Sequence, residues 1–128
     1  MCIPEQKNRD MVLAEVRRIL KPGGKFIFTA HKRDGNEKHA EFWAEQKLRF
    51  EDGTQDQRLE KFGDMIYPKD LPNEILNIIH IPSIDEVKEF IERGNFKIIE
   101  YAFRPDFANE NEAVKDFSAD TIFWIVQK

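Results

Sequence analysis

Three histidines and one cysteine carry most of the chemistry open to this chain of 128 residues. His31 closes a short apolar run, residues 25–30 (KFIFTA). Ligands of open α/β sheets bind outside the carboxyl ends of the parallel strands. An imidazole at such a strand end can act as a general base or hold a substrate. The same residue, followed by Lys32 and Arg33, also reads as an exposed loop histidine. His80 lies near the end of a second apolar run, residues 75–81, where a hydrogen-bonded structural role outweighs a catalytic one. His39 falls on a helix surface. The three histidines show neither i,i+4 nor His-x-His spacing and Cys2 stands alone, so no metal site is expected. Phe42, Trp43, Phe50, Phe62 and Tyr67 are enough to line an apolar pocket, although aromatics at such spacing more often form core. Asp52 and Asp56 within DGTQD lack calcium-loop spacing.

Composition narrows the classes. The net charge is −4 and no basic patch is interleaved with aromatics, which argues against nucleic acid as a partner. Eleven phenylalanines can build a core for one domain. A single cysteine excludes an internal disulfide and fits a reducing, cytoplasmic location. No apolar run reaches the roughly 18 residues of a membrane span, and no basic segment precedes an apolar core as in a secretory signal.

The elements that must position these residues can be read in order. Pro4 suits the first turn of a helix, and Val12, Leu13, Val16, Ile19 and Leu20 form an apolar stripe over residues 4–20. Arg9, Asp10, Glu15, Arg17 and Arg18 are assigned to the opposite face. Pro22 stops the helix and Gly23-Gly24 turn the chain. Residues 25–30 then suit an interior strand of a parallel sheet. Residues 34–82 read as an insertion: a helix over 37–50, then two apolar runs, 65–67 and 75–81, paired as an antiparallel ribbon. Long insertions after a strand often form lids or substrate walls. Ser83 and Glu86 spell a capping box for a helix with Ile84, Val87, Phe90 and Ile91 inward. Gly94 is its expected stop, with Phe96 packed beneath. Residues 97–103 read as a strand, a short helix is expected near 110–117, and residues 121–126 (TIFWIV) as a final buried strand. The spacing leaves no room for a helical crossover, so the last two strands should be antiparallel neighbours.

The segments VLAEVRRILKPGGKFIFT (12–29), SIDEVKEFIERGNFKII (83–99) and TIFWIVQK (121–128) resemble the C-terminal half of the class I S-adenosylmethionine-dependent methyltransferases. The resemblance covers most of the chain and is weakest over 34–82. It implies an α/β fold, the C-terminal half of a Rossmann-like methyltransferase sheet, with strands equivalent to the fifth, seventh and sixth. The seventh would run antiparallel between the other two, with helices and an inserted helix and ribbon alongside. Residues 1–128 would then be a single partial domain, with 34–82 as lid or acceptor-side wall. Cys2, Ile3 and Pro4 would follow the fourth strand, beside the cofactor. His31, Trp43, Tyr67 and His80 become candidates for binding the methyl acceptor, a small molecule or other group, and His31 the candidate catalytic residue.

The family holds S-adenosylmethionine mainly through a glycine-rich turn after its first strand. Gly23-Gly24 follow a helix and precede a strand, the reverse of that motif. The resemblance therefore implies a partial methyltransferase, inactive alone and not binding the cofactor by itself. The competing reading is a non-catalytic interaction module, completed by a partner chain, by self-association or by a domain swap through an exposed strand edge. A weaker third reading is an unrelated ligand-binding α/β domain, which would show a different sheet order.

Overall fold

The structure, a computed structural model, describes residues 3, 5–35, 37–67, 77–107, 109, 111–117 and 119–128. A first helix, α1 (Gln6–Ile19), leads through the Pro22-Gly23-Gly24 turn into β1 (Lys25–His31). A single 3₁₀ turn (Glu37–His39) precedes α2 (Ala40–Glu51), and β2 (Asp64–Tyr67) and β3 (Asn77–His80) follow. Then come α3 (Ile84–Arg93), β4 (Lys97–Phe103), two short helices, α4 (Arg104–Phe107) and α5 (Glu112–Phe117), and β5 (Thr121–Gln127). Of these, α4 was not anticipated from the sequence.

The main sheet has the order β1-β5-β4, with the last strand central and antiparallel to both neighbours. β5 is the most apolar strand and the best buried: Ile122, Trp124 and Val126 are each 1% exposed or less. β1 differs from the interior parallel strand expected of it. Among the described residues it pairs only with β5, and antiparallel. Its side chains alternate accordingly, with Phe26, Phe28 and Ala30 toward the core and Ile27 62% exposed on the other face.

α1 and α3 supply the other wall of one core, made of Leu13, Ala30, Val87, Phe90, Ile91, Phe96, Ile122, Trp124 and Val126. Phe28 stacks on Trp124 (ring centroids 6.4 Å apart) and meets Phe90 edge-on (6.3 Å). The stripe of α1 is rotated from the expected one. Arg9, Leu13, Val16 and Leu20, at i, i+4, i+7 and i+11, face inward, while Val12 and Ile19 lie exposed. The buried guanidinium of Arg9 on this stripe is the main departure from the reading of that helix.

α3 begins with the expected reciprocal cap. Ser83 Oγ accepts from the Glu86 N–H at 3.1 Å, and the Glu86 carboxylate accepts from the Ser83 N–H at 2.7 Å. At its other end Gly94 keeps a right-handed conformation, and Asn95 (φ 55°) makes the left-handed turn instead. Gly94 is needed for space: a Cβ there would sit 2.2 Å from Leu13 Cδ2.

The inserted segment forms its own small unit. β2 and β3 pair antiparallel with Asp64 opposite His80 and Met65 opposite Ile79, the ribbon expected from the two apolar runs. α2 buries no residue fully. Its Trp43 and Phe50 meet Phe62 edge-on at 6.0 and 6.1 Å. Among the described residues no helix is long and apolar enough to cross a membrane.

Candidate functional site

Three elements converge on one polar cluster: the chain leaving β1, the base of the ribbon, and the first turn of α3. Arg33, two residues beyond β1, places its guanidinium over the Phe62 ring, 4.5 Å from the centroid. It donates to the Ile81 carbonyl at 2.9 Å and to the Glu86 carboxylate. Its side chain is only 10% exposed. Its backbone N–H donates to the Pro82 carbonyl, 3.1 Å away. Glu86 thus caps its own helix and holds Arg33 with the same carboxylate.

Asp64 opens β2. Its Oδ2 accepts the backbone N–H groups of Glu60 and Lys61 at 3.1 and 3.0 Å, and its Oδ1 lies 2.7 Å from His80 Nδ1. Burial opposes the charge on this carboxylate, but the imidazole and the two N–H donors outweigh it and hold the pKa below the usual carboxylate range. Glu86 follows the same logic: burial raises its pKa, while the Ser83 N–H and Arg33 bring it below the usual value.

His80 is 2% exposed. Burial pushes its pKa down, over the opposing hydrogen bond to Asp64; Arg9 and Lys61 push it further down, and Glu86 partly opposes them. An ionised carboxylate has no proton to give, so His80 Nδ1 carries the hydrogen. Nε2 lies 3.9 Å from Glu86 Oε2. Gly63 makes this packing possible. Its φ is +101°, and a Cβ would lie 2.7 Å from Arg33 Nη1, 2.8 Å from the Ile81 carbonyl oxygen and 2.9 Å from His80 Cε1.

Beside the cluster a cleft of about 80 Å³ opens between α1, α3 and the ribbon base, lined in part by Gln6, Arg9, Lys61, His80, Glu86 and Arg93. Arg9 is 2% exposed and donates to the Ile3 carbonyl at 3.0 Å and to Gln6 Oε1 at 3.2 Å. Lys61 Nζ donates to that same Gln6 oxygen at 3.0 Å and lies 3.9 Å from Glu86 Oε1. Burial lowers the pKa of both Arg9 and Lys61 despite the surrounding carboxylates. The cleft therefore combines an imidazole oriented by a carboxylate, which can take or give a proton, with cations that can hold negative charge.

The residues singled out from sequence are distributed unevenly around this site. His80 lines the cleft. His31 does not. It ends β1 as an exposed residue with Nδ1 3.4 Å from Thr121 Oγ1, and desolvation of its ring lowers its pKa against the charge of Asp120. Trp43 belongs to the aromatic group around Phe62. His39 sits exposed at the start of α2. The Ile3 carbonyl is tied to Arg9, while Cys2, Pro4 and the side chain of Tyr67 lie outside the described residues. Among the described residues no three His, Cys, Asp or Glu side chains group as a metal site.

Arg9, Arg33, Lys61 and Asp64 were not identified from the sequence, and Glu86 was seen only as a cap. Two signals were available. Arg9 shares a helical face with Leu13, Val16 and Leu20, and extending the ribbon register by one pair beyond Met65 sets Asp64 against His80.

No family model and no curated protein matches this chain. Among solved structures that resemble it is a SAM-dependent methyltransferase from Methanosarcina mazei, with a TM-score of 0.68 and 20% identity. The match covers 99% of this chain and 54% of the other, so the chain spans about half the length of that methyltransferase. Over that half the two share a fold.

Proposed function

We propose that the chain is the acceptor-side half of an S-adenosylmethionine-dependent methyltransferase, with β1, β5 and β4 in the places of the family's fifth, seventh and sixth strands. The observation that carries this is the match of 99% of the chain to part of the M. mazei methyltransferase. A central last strand antiparallel to both neighbours is consistent with it. In this reading the segment 34–82 is the lid or acceptor-side wall, Cys2, Ile3 and Pro4 border the cofactor, and the methyl acceptor is a small molecule or other group. A reducing, cytoplasmic compartment accords with the single cysteine.

The residues described do not fit the cofactor. Among the described residues no glycine-rich turn leads from a strand into a helix. In this reading the cofactor half of the site comes from other polypeptide. Titration calorimetry of the chain with S-adenosylmethionine should show no saturable heat. Tight one-to-one binding would overturn the proposal that this half is insufficient alone.

A second reading, an interaction module, is favoured by one observation. The outer edge of β1 has no strand partner among the described residues, and Ile27 on its open face is 62% exposed. Light scattering coupled to size exclusion should then show concentration-dependent association through a partner or a second copy. A monomer at every concentration would count against self-association.

A further inference from the structure

Gln6 Oε1 occupies an unusual position. Two cationic groups, Arg9 Nη2 at 3.2 Å and Lys61 Nζ at 3.0 Å, converge on this one neutral oxygen. Arg9 is 2% exposed, and no described carboxylate lies within the 4.0 Å of an ion pair from its guanidinium. Its other hydrogen bond goes to a neutral carbonyl, that of Ile3. Burying a charge without a counter-charge is costly. Three acids near Arg9 have other hydrogen-bond donors: Asp64 has His80 and two backbone N–H groups, Glu86 has Ser83 and Arg33, and Asp10 has Gln6 Nε2 and Arg93. Glu86 also lies 3.9 Å from Lys61, Glu60 acts on Arg9 through its charge, and Glu89 lines the cleft, so a bound anion must sit on the Arg9 and Lys61 side. The amide oxygen of Gln6 stands where an anionic oxygen would satisfy both cations at once. The cleft it borders has room for one small group.

We propose that this cleft binds a single oxyanion group, the carboxylate or phosphate of a small ligand, whose oxygen replaces Gln6 Oε1 between Arg9 and Lys61. Burial lowers the pKa of both cations, over the opposing charges of Asp64, Asp10, Glu86 and Glu60 around Arg9 and of Glu86 and Asp64 around Lys61. The assignment is independent of methyl transfer, and its test uses the chain without any cofactor.

Inorganic phosphate and acetate are titrated separately into the full chain at constant ionic strength, with chloride as control, and followed by amide and side-chain NMR shifts and by melting temperature. A saturable shift at Gln6, Arg9 and Lys61 with phosphate identifies a phosphate site, and one with acetate a carboxylate site. Losing one charge-assisted hydrogen bond should weaken binding at least about tenfold in Lys61→Gln. Gln6→Glu supplies a carboxylate between the two cations from within, at the loss of the Nε2 bond to Asp10, so it should abolish the response to added anion. Arg18→Gln, an exposed residue paired with Glu15, should leave binding unchanged. A response no greater than that to chloride overturns the proposal, as does undiminished binding in Lys61→Gln or Gln6→Glu.

Discussion

The body formed by α1, α3 and the three-stranded sheet, and the segment 32–82 inserted between β1 and α3, are held by different forces. The body closes over Trp124, Ile91, Leu13 and six further apolar residues, none of them from the insertion. The insertion is tied to the body by polar contacts, Arg33 to Glu86 and Lys61 to Gln6, and is braced within itself by Asp64 on His80 and Arg33 on the Ile81 carbonyl. Apolar burial is non-directional and roughly proportional to area. A polar cluster contributes little net energy per bond but costs heavily when one member is lost, because its partner is left buried and unsatisfied. The body should therefore degrade gradually with lost volume, and the insertion abruptly with lost partners.

The two tryptophans separate these behaviours, since Trp43 reports on the insertion and Trp124 on the body. The largest effect is expected for Trp124→Ala. Truncating a fully buried aromatic costs about 4 kcal/mol, and the remaining Trp43 fluorescence should show the whole chain unfolding at much lower urea. If Trp43 kept its native environment while the sheet unfolded, the insertion would be an independent unit.

Next in size is Arg33→Met, which keeps the stem over Phe62 and removes the charge. Breaking a buried ion pair costs several kcal/mol, and the partial exposure of Glu86 (28%) reduces this to about 2 kcal/mol. Hydrogen exchange should rise first at Gly63, Asp64 and Ile81, with the amides of β5 unaffected. Uniform loss of protection in both regions would erase the contrast.

Acid should act in the same place. His80 is held neutral in the fold, with its pKa below the ordinary imidazole value, and is faced by Asp64, Glu86, Arg9 and Lys61. A lowered folded-state pKa contributes stability that is present above the unfolded value of about 6.5 and lost as pH falls through the folded one. Asp64 and Glu86 are lowered too, so their contributions vanish further down, below the usual carboxylate range. Trp43 fluorescence in Trp124→Phe should change in two steps between pH 6.5 and acid, with the first step absent in His80→Gln. The smallest effect is expected for Ser83→Ala. It should cost about 1 kcal/mol by removing one half of the α3 cap, read as a lowered urea midpoint with an unchanged slope.

Much of the body was legible in the chain itself. The α3 cap, the order of the longer helices and strands and the antiparallel final strand, and in the insertion the ribbon, follow from local signals: a Ser-x-x-Glu spacing, apolar periodicity and connections too short for a crossover. Two local readings needed correction. β1 was read as interior because a short apolar run carries no mark of how many neighbours it has. The stripe of α1 was read with Val12 and Ile19 inward and Arg9 outward, whereas Arg9, Leu13, Val16 and Leu20 face the core. Gly94 stops α3 as expected, and the structure adds that it clears Leu13, some eighty positions earlier in the chain.

What the sequence determined alone is thus the set of elements and their apolar faces, because those depend on residues a few positions apart. The polar cluster was decided only by the tertiary structure. Arg33 and Glu86 are separated by 53 positions, Lys61 and Gln6 by 55. A charged residue in sequence defaults to solvent, and only packing that removes water, while bringing distant donors and acceptors within about 3 Å of each other, turns it into part of a site.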